Sequence, residues 1–318
     1  MSEQVRELPA GGNPIARIVG VIFSPAKTYQ EIAAAPAWLP PLLVYIAVFL
    51  IAFTVYGAKA DWLGNMEDAI RDFPTSRLAP DEVMDKVVAD QLAALKDYNW
   101  WQITLLNALN IVWGSVAFYH VMTLLYLTMF YIMGSAADVR VGKAWLTFLL
   151  CLAVLIGGSV INGVGQFVLQ KDSPMTFLAL ATACVIVMVG VYIFLVNRNA
   201  QRDPGFHRFL SASTYASAVG IVGAIAIAAI SAATPAPIQA QVQYLVKSNL
   251  GAIMPSDNAA LQSLFSSLDI FSIWFLIVLT IGYKTMTKTS TGIAASITFL
   301  PWVVWVLIKL AWNAAVPS

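Results

Sequence analysis

A chain of 318 residues that is 59% hydrophobic and only 11% charged is unlike a soluble domain, which carries about 25% charged residues. The deficit is explained if most of the chain lies in lipid. A formal net charge of +1 gives no basic excess that would point to nucleic acid.

Residues 1–13 are polar, contain Gly11-Gly12 and read as a disordered tail. No cleavable signal peptide is expected, because the first long apolar run starts near Trp38. Between Pro14 and Phe23, the residues Ile15, Ile18, Val19, Ile22 and Phe23 recur at helical spacing with Arg17 among them. That pattern predicts a short helix lying in the membrane interface. Ser24-Pro25 restarts a helix, with Ser24 as N-cap and Pro25 in the first turn, and Pro36 ends it. Residues 1–37 therefore read as a cytoplasmic tail with interfacial amphipathic helices, and residues 38–318 as the membrane domain.

The first spanning segment, Leu39 to Gly57, has no charge and approaches the roughly 20 residues that a bilayer core requires. The segment 58–101 is polar and acidic. Val83, Met84, Val87, Val88, Leu92 and Leu95 mark one face of a helix starting near Pro80, with Asp81 and Glu82 suiting its positive N-terminus. Trp100-Trp101 closes the segment as an interfacial anchor. The next apolar run, Ile103 to Met133, is too long for one upright span, so it must tilt, kink near Gly114-Ser115 or protrude. Further spans are predicted at Trp145–Leu169, Thr176–Val196, Leu210–Ala233, Ile270–Tyr283 and Ile293–Trp312, making seven. The connector Pro235 to Ser267 is semi-polar, with a short surface helix expected around Gln239 to Lys247. The fold class is all-α: a polytopic transmembrane helical bundle of about seven spans.

Orientation follows from Lys and Arg in short loops. One side collects Arg6, Arg17, Lys27, Arg140, Lys143, Arg198, Arg202, Arg208, Lys284 and Lys288. The other has Lys171 and Lys247, besides basic residues diluted through the acidic 58–101 segment. The N-terminus is expected in the cytoplasm and the 58–101 segment outside.

Polar groups in lipid are costly and tend to face protein or a water-filled cavity. Asn107 and Asn110 share a helical face with Gly114, and Ser159, Asn162 and Gln166 share a face in the next span. With Asp269 at the outer end of its own span, these residues make a candidate polar pocket in the outer half of the membrane. The ordinary alternative is interhelical hydrogen bonding, about 0.6 kcal/mol each. Asp269 also suits a helix N-cap after Ser266-Ser267. His120 lies deeper and reads as a packing hydrogen-bonder. Ala212, Ala216, Gly220, Ala224, Ala228 and Ala232 form a stripe of small residues four apart. Such a stripe lets a second helix approach closely, either within the chain or in a homo-oligomer.

Enzyme signatures are missing: no His-Glu-x-x-His, no Gly-x-Ser-x-Gly and no phosphate-binding Gly-Lys loop. Cys151 and Cys184 lie in apolar runs, without His or Cys partners at metal spacing. No catalytic residue, metal site or cofactor is expected.

The two ends of the chain resemble the Yip family, named for Ypt/Rab-interacting proteins, in its bacterial branch. The N-terminal resemblance rests on Phe23-Ser24-Pro25, Glu31-Ile32, Pro36, Trp38 and Pro40-Pro41. The C-terminal one rests on Leu268-Asp269-Ile270-Phe271, Trp274, Gly282 and Ala294-Ala295, and Arg208-Phe209-Leu210 through Tyr215-Ala216-Ser217 resembles the Arg-bearing start of a middle span. The resemblance implies an all-helical multi-pass protein with a core of five spans and a cytosolic N-terminus, here in a bacterial inner membrane. The two surplus spans would be an extra hairpin near residues 145–196. Some bacterial members accompany exporter components of the ATP-binding-cassette type. The expectation is a non-catalytic membrane adaptor or scaffold with a membrane-protein partner. The alternative is a small-solute transporter or channel that uses the outer polar pocket.

Overall fold

A computed structural model describes residues 13–71, 80–95, 98–134, 140–146, 148–149, 174–239, 245–256 and 258–315. Among these residues there is no strand; two isolated bridges, Ala60 with Ile238 and Asn249 with Asp269, tie loops together. The helices are α1 (Pro14–Phe23), α2 (Pro25–Ala34), α3 (Leu39–Gly57), α4 (Trp62–Arg71), α5 (Asp81–Leu95), α6 (Trp100–Ile132), α7 (Pro174–Arg202), α8 (Pro204–Ala216), α9 (Ala218–Ala233), α10 (Leu250–Ile253), α11 (Ala259–Ser267), α12 (Ile270–Thr287) and α13 (Thr291–Ala315).

Six helical stretches are long and apolar enough to cross a membrane: Leu39–Gly57, Gly114–Ile132, Thr182–Arg202, Pro204–Ala233, Ile270–Thr287 and Thr291–Ala315. They correspond to six of the seven predicted spans. The remaining one, Trp145–Leu169, lies mostly outside the described residues, as do residues 240–244 of the expected surface helix. The molecule is a multi-pass membrane protein, and its outer helical faces meet the bilayer.

α6 resolves the length problem without a break. It runs 33 residues as one helix through Gly114, about 50 Å at ~1.5 Å per residue, against a hydrocarbon core of about 30 Å. A tilt or a protruding first turn must absorb the excess. The span Pro204–Ala233 is jointed at Ser217, where α8 ends and α9 begins.

α1 and α2 pack against the bundle. Tyr29 and Ile32 are fully buried, and α2 lies against α12 and α8. A Cβ at Gly282 would stand 2.9 Å from the Tyr29 ring, so only glycine lets the two helices meet this closely. Burial pushes the Tyr29 hydroxyl well above the usual tyrosine range, so it remains a neutral donor. Arg17 is buried too: its guanidinium donates to the Ala35 carbonyl at 2.8 Å, closing the C-terminus of α2. On α1, Ile15, Val19 and Phe23 face outward. Ser24 occupies the N-cap position of α2 but its side chain makes no capping bond; its carbonyl accepts from Thr28 instead.

Contacts sort the ends of the bundle. Trp38 donates to Asn197 and the Arg140 amide to Asp203. Phe130 and Phe209 stack beside Tyr283, which immediately precedes Lys284 and lies five residues before Lys288. The cations Arg140, Lys143, Arg198, Arg202, Lys284 and Lys288 therefore share one end. At the opposite end, Lys59 donates to the carbonyls of Ser231, Ala232 and Thr234, closing the C-terminus of α9. Asn65 bonds the Tyr56 hydroxyl and the Ile238 carbonyl, and Arg71 pairs with Glu67 and Asp85, joining α4 to α5. The acidic segment folds back onto this end.

Candidate functional site

A seam of hydroxyls crosses the bundle where α6, α8 and α12 meet. The Ser213 Oγ lies 2.8 Å from Thr123 Oγ1 and 2.7 Å from the Tyr283 hydroxyl. Tyr29 donates to the Ala212 carbonyl at 3.2 Å, and Tyr126 donates to the Thr298 carbonyl at 3.1 Å. Away from water an unmatched hydroxyl costs several kcal/mol on transfer scales. These groups are spent on one another and on helix carbonyls, so the seam locks packing and leaves none of them open to a solute. The Tyr283 ring stacks on Phe209 at 5.1 Å and on Tyr126 at 5.3 Å, filling the space around them.

His120 is buried and its Nδ1 bonds the Tyr192 hydroxyl. Phe148 and Phe206 close around its ring. This is helix-packing geometry, joining α6 to α7.

Beside the seam lies a cavity of about 580 Å³ between α6, α9, α12 and α13. Its wall is aromatic: Tyr119, Tyr126, Phe271, Phe275, Trp302 and Trp305 contribute, and among the described residues no charged side chain does. Gly220 and Pro301 also line it. At Gly220 a Cβ would stand 2.7 Å from the Tyr45 ring, which is how α9 can lie flush along α3. Pro301 is inside α13, where it lacks an amide for the preceding turn.

Of the residues singled out from sequence, Asp269 caps α12. One carboxylate oxygen accepts the Ser272 amide at 2.8 Å and the other takes the Ser248 hydroxyl. Both oxygens are engaged locally. Asn107 and Asn110 lie on the continuous helix α6, but their side chains are outside the described residues, as are Ser159, Asn162 and Gln166 altogether. In the small-residue stripe, Ala216 and Ala224 are buried, Gly220 and Ala228 half-buried. Among the described residues no three His, Cys, Asp or Glu side chains gather as metal ligands would. The aromatic cavity and the hydroxyl seam were not anticipated. The signal that could have found them was tyrosine inside apolar spans, at positions 119, 126 and 283, where a buried phenol needs a partner.

A family model described as the Yip1 domain matches residues 137–313. The match starts beyond the Phe23–Pro41 segment and takes in residues 145–196, which had been set apart as an added hairpin. The matched range holds four of the six described spans, Thr182–Arg202, Pro204–Ala233, Ile270–Thr287 and Thr291–Ala315. No curated protein and no solved structure matches the chain.

Proposed function

Since this chain belongs to the Yip1 domain family, we propose that it is a non-catalytic membrane adaptor, accessory to transport or export machinery. The observation that carries the reading is the uncharged aromatic cavity between α6, α9, α12 and α13. A solute path through lipid is usually lined by polar or ionisable groups. An apolar, aromatic recess suits the side chains of a partner's transmembrane helix, where close packing drives association. In the proposed orientation the N-terminus is cytoplasmic and α4 and α5 stand outside, because the cations share the end opposite the acidic segment. Val83 and Val87 of α5 are exposed there and offer a second apolar contact to the same partner.

Ser272→Trp would fill the cavity from α12. The variant is expected to keep its melting temperature in detergent within a few degrees and to lose a membrane complex that co-purifies with the native protein. Purified protein alone in liposomes should pass no small solute. Robust flux that Asn110→Leu with Asn162→Leu abolishes would overturn the adaptor in favour of a transporter using the outer polar residues.

A further inference from the structure

A second cavity, of about 270 Å³, opens at the cation-bearing end between the last turns of α7 and the helical residues 141–146. Arg140, Lys143, Arg198 and Arg202 line it, with Asp203 as its one carboxylate among the described residues. Asp203 is buried, and its two oxygens accept the amides of Phe206 and Arg140, at 3.1 and 2.9 Å. It therefore clamps α8 to the segment at Arg140, and its charge is shared with those amides. Among the described residues no carboxylate pairs with the guanidinium of Arg198 or Arg202.

Helix electrostatics account for half of this cluster. Arg198 and Arg202 stand at the C-terminus of α7, where the helix dipole favours cations. Arg140 and Lys143 stand at the start of the helical run 141–146, which precedes α7 in the chain, where the helix dipole disfavours them: the Arg140 carbonyl accepts its first helical amides. Arg198 and Arg202 are also four apart, and like charges at that spacing repel. Two independent costs thus converge on one hollow, and an anion held there would relieve both. A further observation points the same way. Asn199 also lines the cavity, is 9% exposed, and its Nδ2 is a buried donor with no partner among the described residues.

We propose that this cavity binds a phosphate group, with Arg198, Arg202 and Arg140 as the charged ligands and Asn199 as a neutral donor. Leu146 and Leu195 form its apolar wall, and Leu146 and Phe194 are exposed beside it. The hollow sits where a span ends, at the level of the Trp38–Asn197 bond. Basic pockets between spans at this depth accept anionic lipid headgroups, and the apolar flank suits acyl chains. A soluble phosphate offers the same charge without those chains. The inference is independent of what fills the aromatic cavity.

The test uses the full chain in mild detergent, titrated with phosphatidylglycerol, phosphatidylcholine or inorganic phosphate, with native mass spectrometry and melting temperature as readouts. Phosphatidylglycerol should bind and raise the melting temperature; phosphatidylcholine should do neither. Arg198→Gln with Arg202→Gln should weaken binding by about tenfold or more. Lys284→Gln with Lys288→Gln removes as much charge at the same end but outside the cavity, and should change binding less than about twofold. Asn199→Asp, close in shape, should weaken it as well and covers the case in which the double variant does not fold. Saturation by millimolar inorganic phosphate, with the same sensitivity to Arg198 and Arg202, would assign the phosphate to a soluble source. Binding that ignores the cavity variants, or falls equally with Lys284 and Lys288, would overturn the site.

Discussion

Two glycines let helices of the bundle approach closely, and each faces a tyrosine. Gly220 meets Tyr45 and Gly282 meets Tyr29. Both tyrosines belong to the N-terminal helices and both glycines to the family-matched part. Gly220→Leu forces α9 away from α3 and should cost about 1–3 kcal/mol, as overpacking does. It is read as a fall of several degrees in melting temperature in detergent, and an unchanged value would refute the close contact. Tyr29→Phe is a gentler change. It removes the bond to the Ala212 carbonyl without altering volume and should cost about 1 kcal/mol. The stripe of small residues was legible in the sequence because four-residue spacing is local. Its counterpart Tyr45 was not, since nothing in the chain says which distant helix a glycine faces. The same limit applies to the hydroxyl seam: Thr123 and Ser213 stand 90 positions apart, and each alone reads as a tolerated polar residue. Asp269 was legible as a cap because its partner, the Ser272 amide, is three positions away.

Among the elements, the spans declared themselves through hydropathy, and the acidic helix from Asp81 to Leu95 through its apolar face. The role of α1 and α2 was harder to read. Their amphipathic pattern suits a membrane surface and a protein surface equally, because both take an apolar stripe. What decides is the buried Arg17 at the end of α2 and the Tyr29 contact inside the bundle. α1 and α2 thus act as a structural wedge, and Arg17→Met should loosen both. The expected outcome is faster proteolysis between residues 13 and 37 with α12 still intact; equal protease resistance would mean that the bond contributes little. The joint at Ser217 is a further feature that hydropathy misses. A 30-residue apolar stretch reads as one span, whereas the α-helical hydrogen bonding is interrupted at Ser217, whose amide and hydroxyl both donate to the Thr214 carbonyl.

For the whole molecule, the asymmetry of charge is the main legible quantity, and it forecasts topology. A cysteine at Asp68, on the exposed side of α4, should be labelled from outside intact cells by an impermeant thiol reagent. One at Lys288, in the turn between α12 and α13, should be protected until the membrane is opened. The background needs Cys151 and Cys184 replaced by Ser. Reversed labelling would invert the proposed orientation, together with the assignment of α4 and α5 to the outside.

The wedge made by α1 and α2 also sets a schedule for synthesis. The Tyr29 hydroxyl and the Ala212 carbonyl that receives it are separated by 183 residues. At roughly 5–20 residues per second of translation, Tyr29 leaves the ribosome about ten to forty seconds before its partner exists. Gly282, which cradles the same ring, arrives later still. For that interval the apolar face carrying Tyr29 and Ile32 has no protein to cover it, and the lipid surface is its available shelter. The first helices to be made are thus held in waiting, and the bundle can close only after the C-terminal hairpin has been inserted. A ribosome stalled after residue 200 should leave α1 and α2 open to added protease, and release of the full chain should close them.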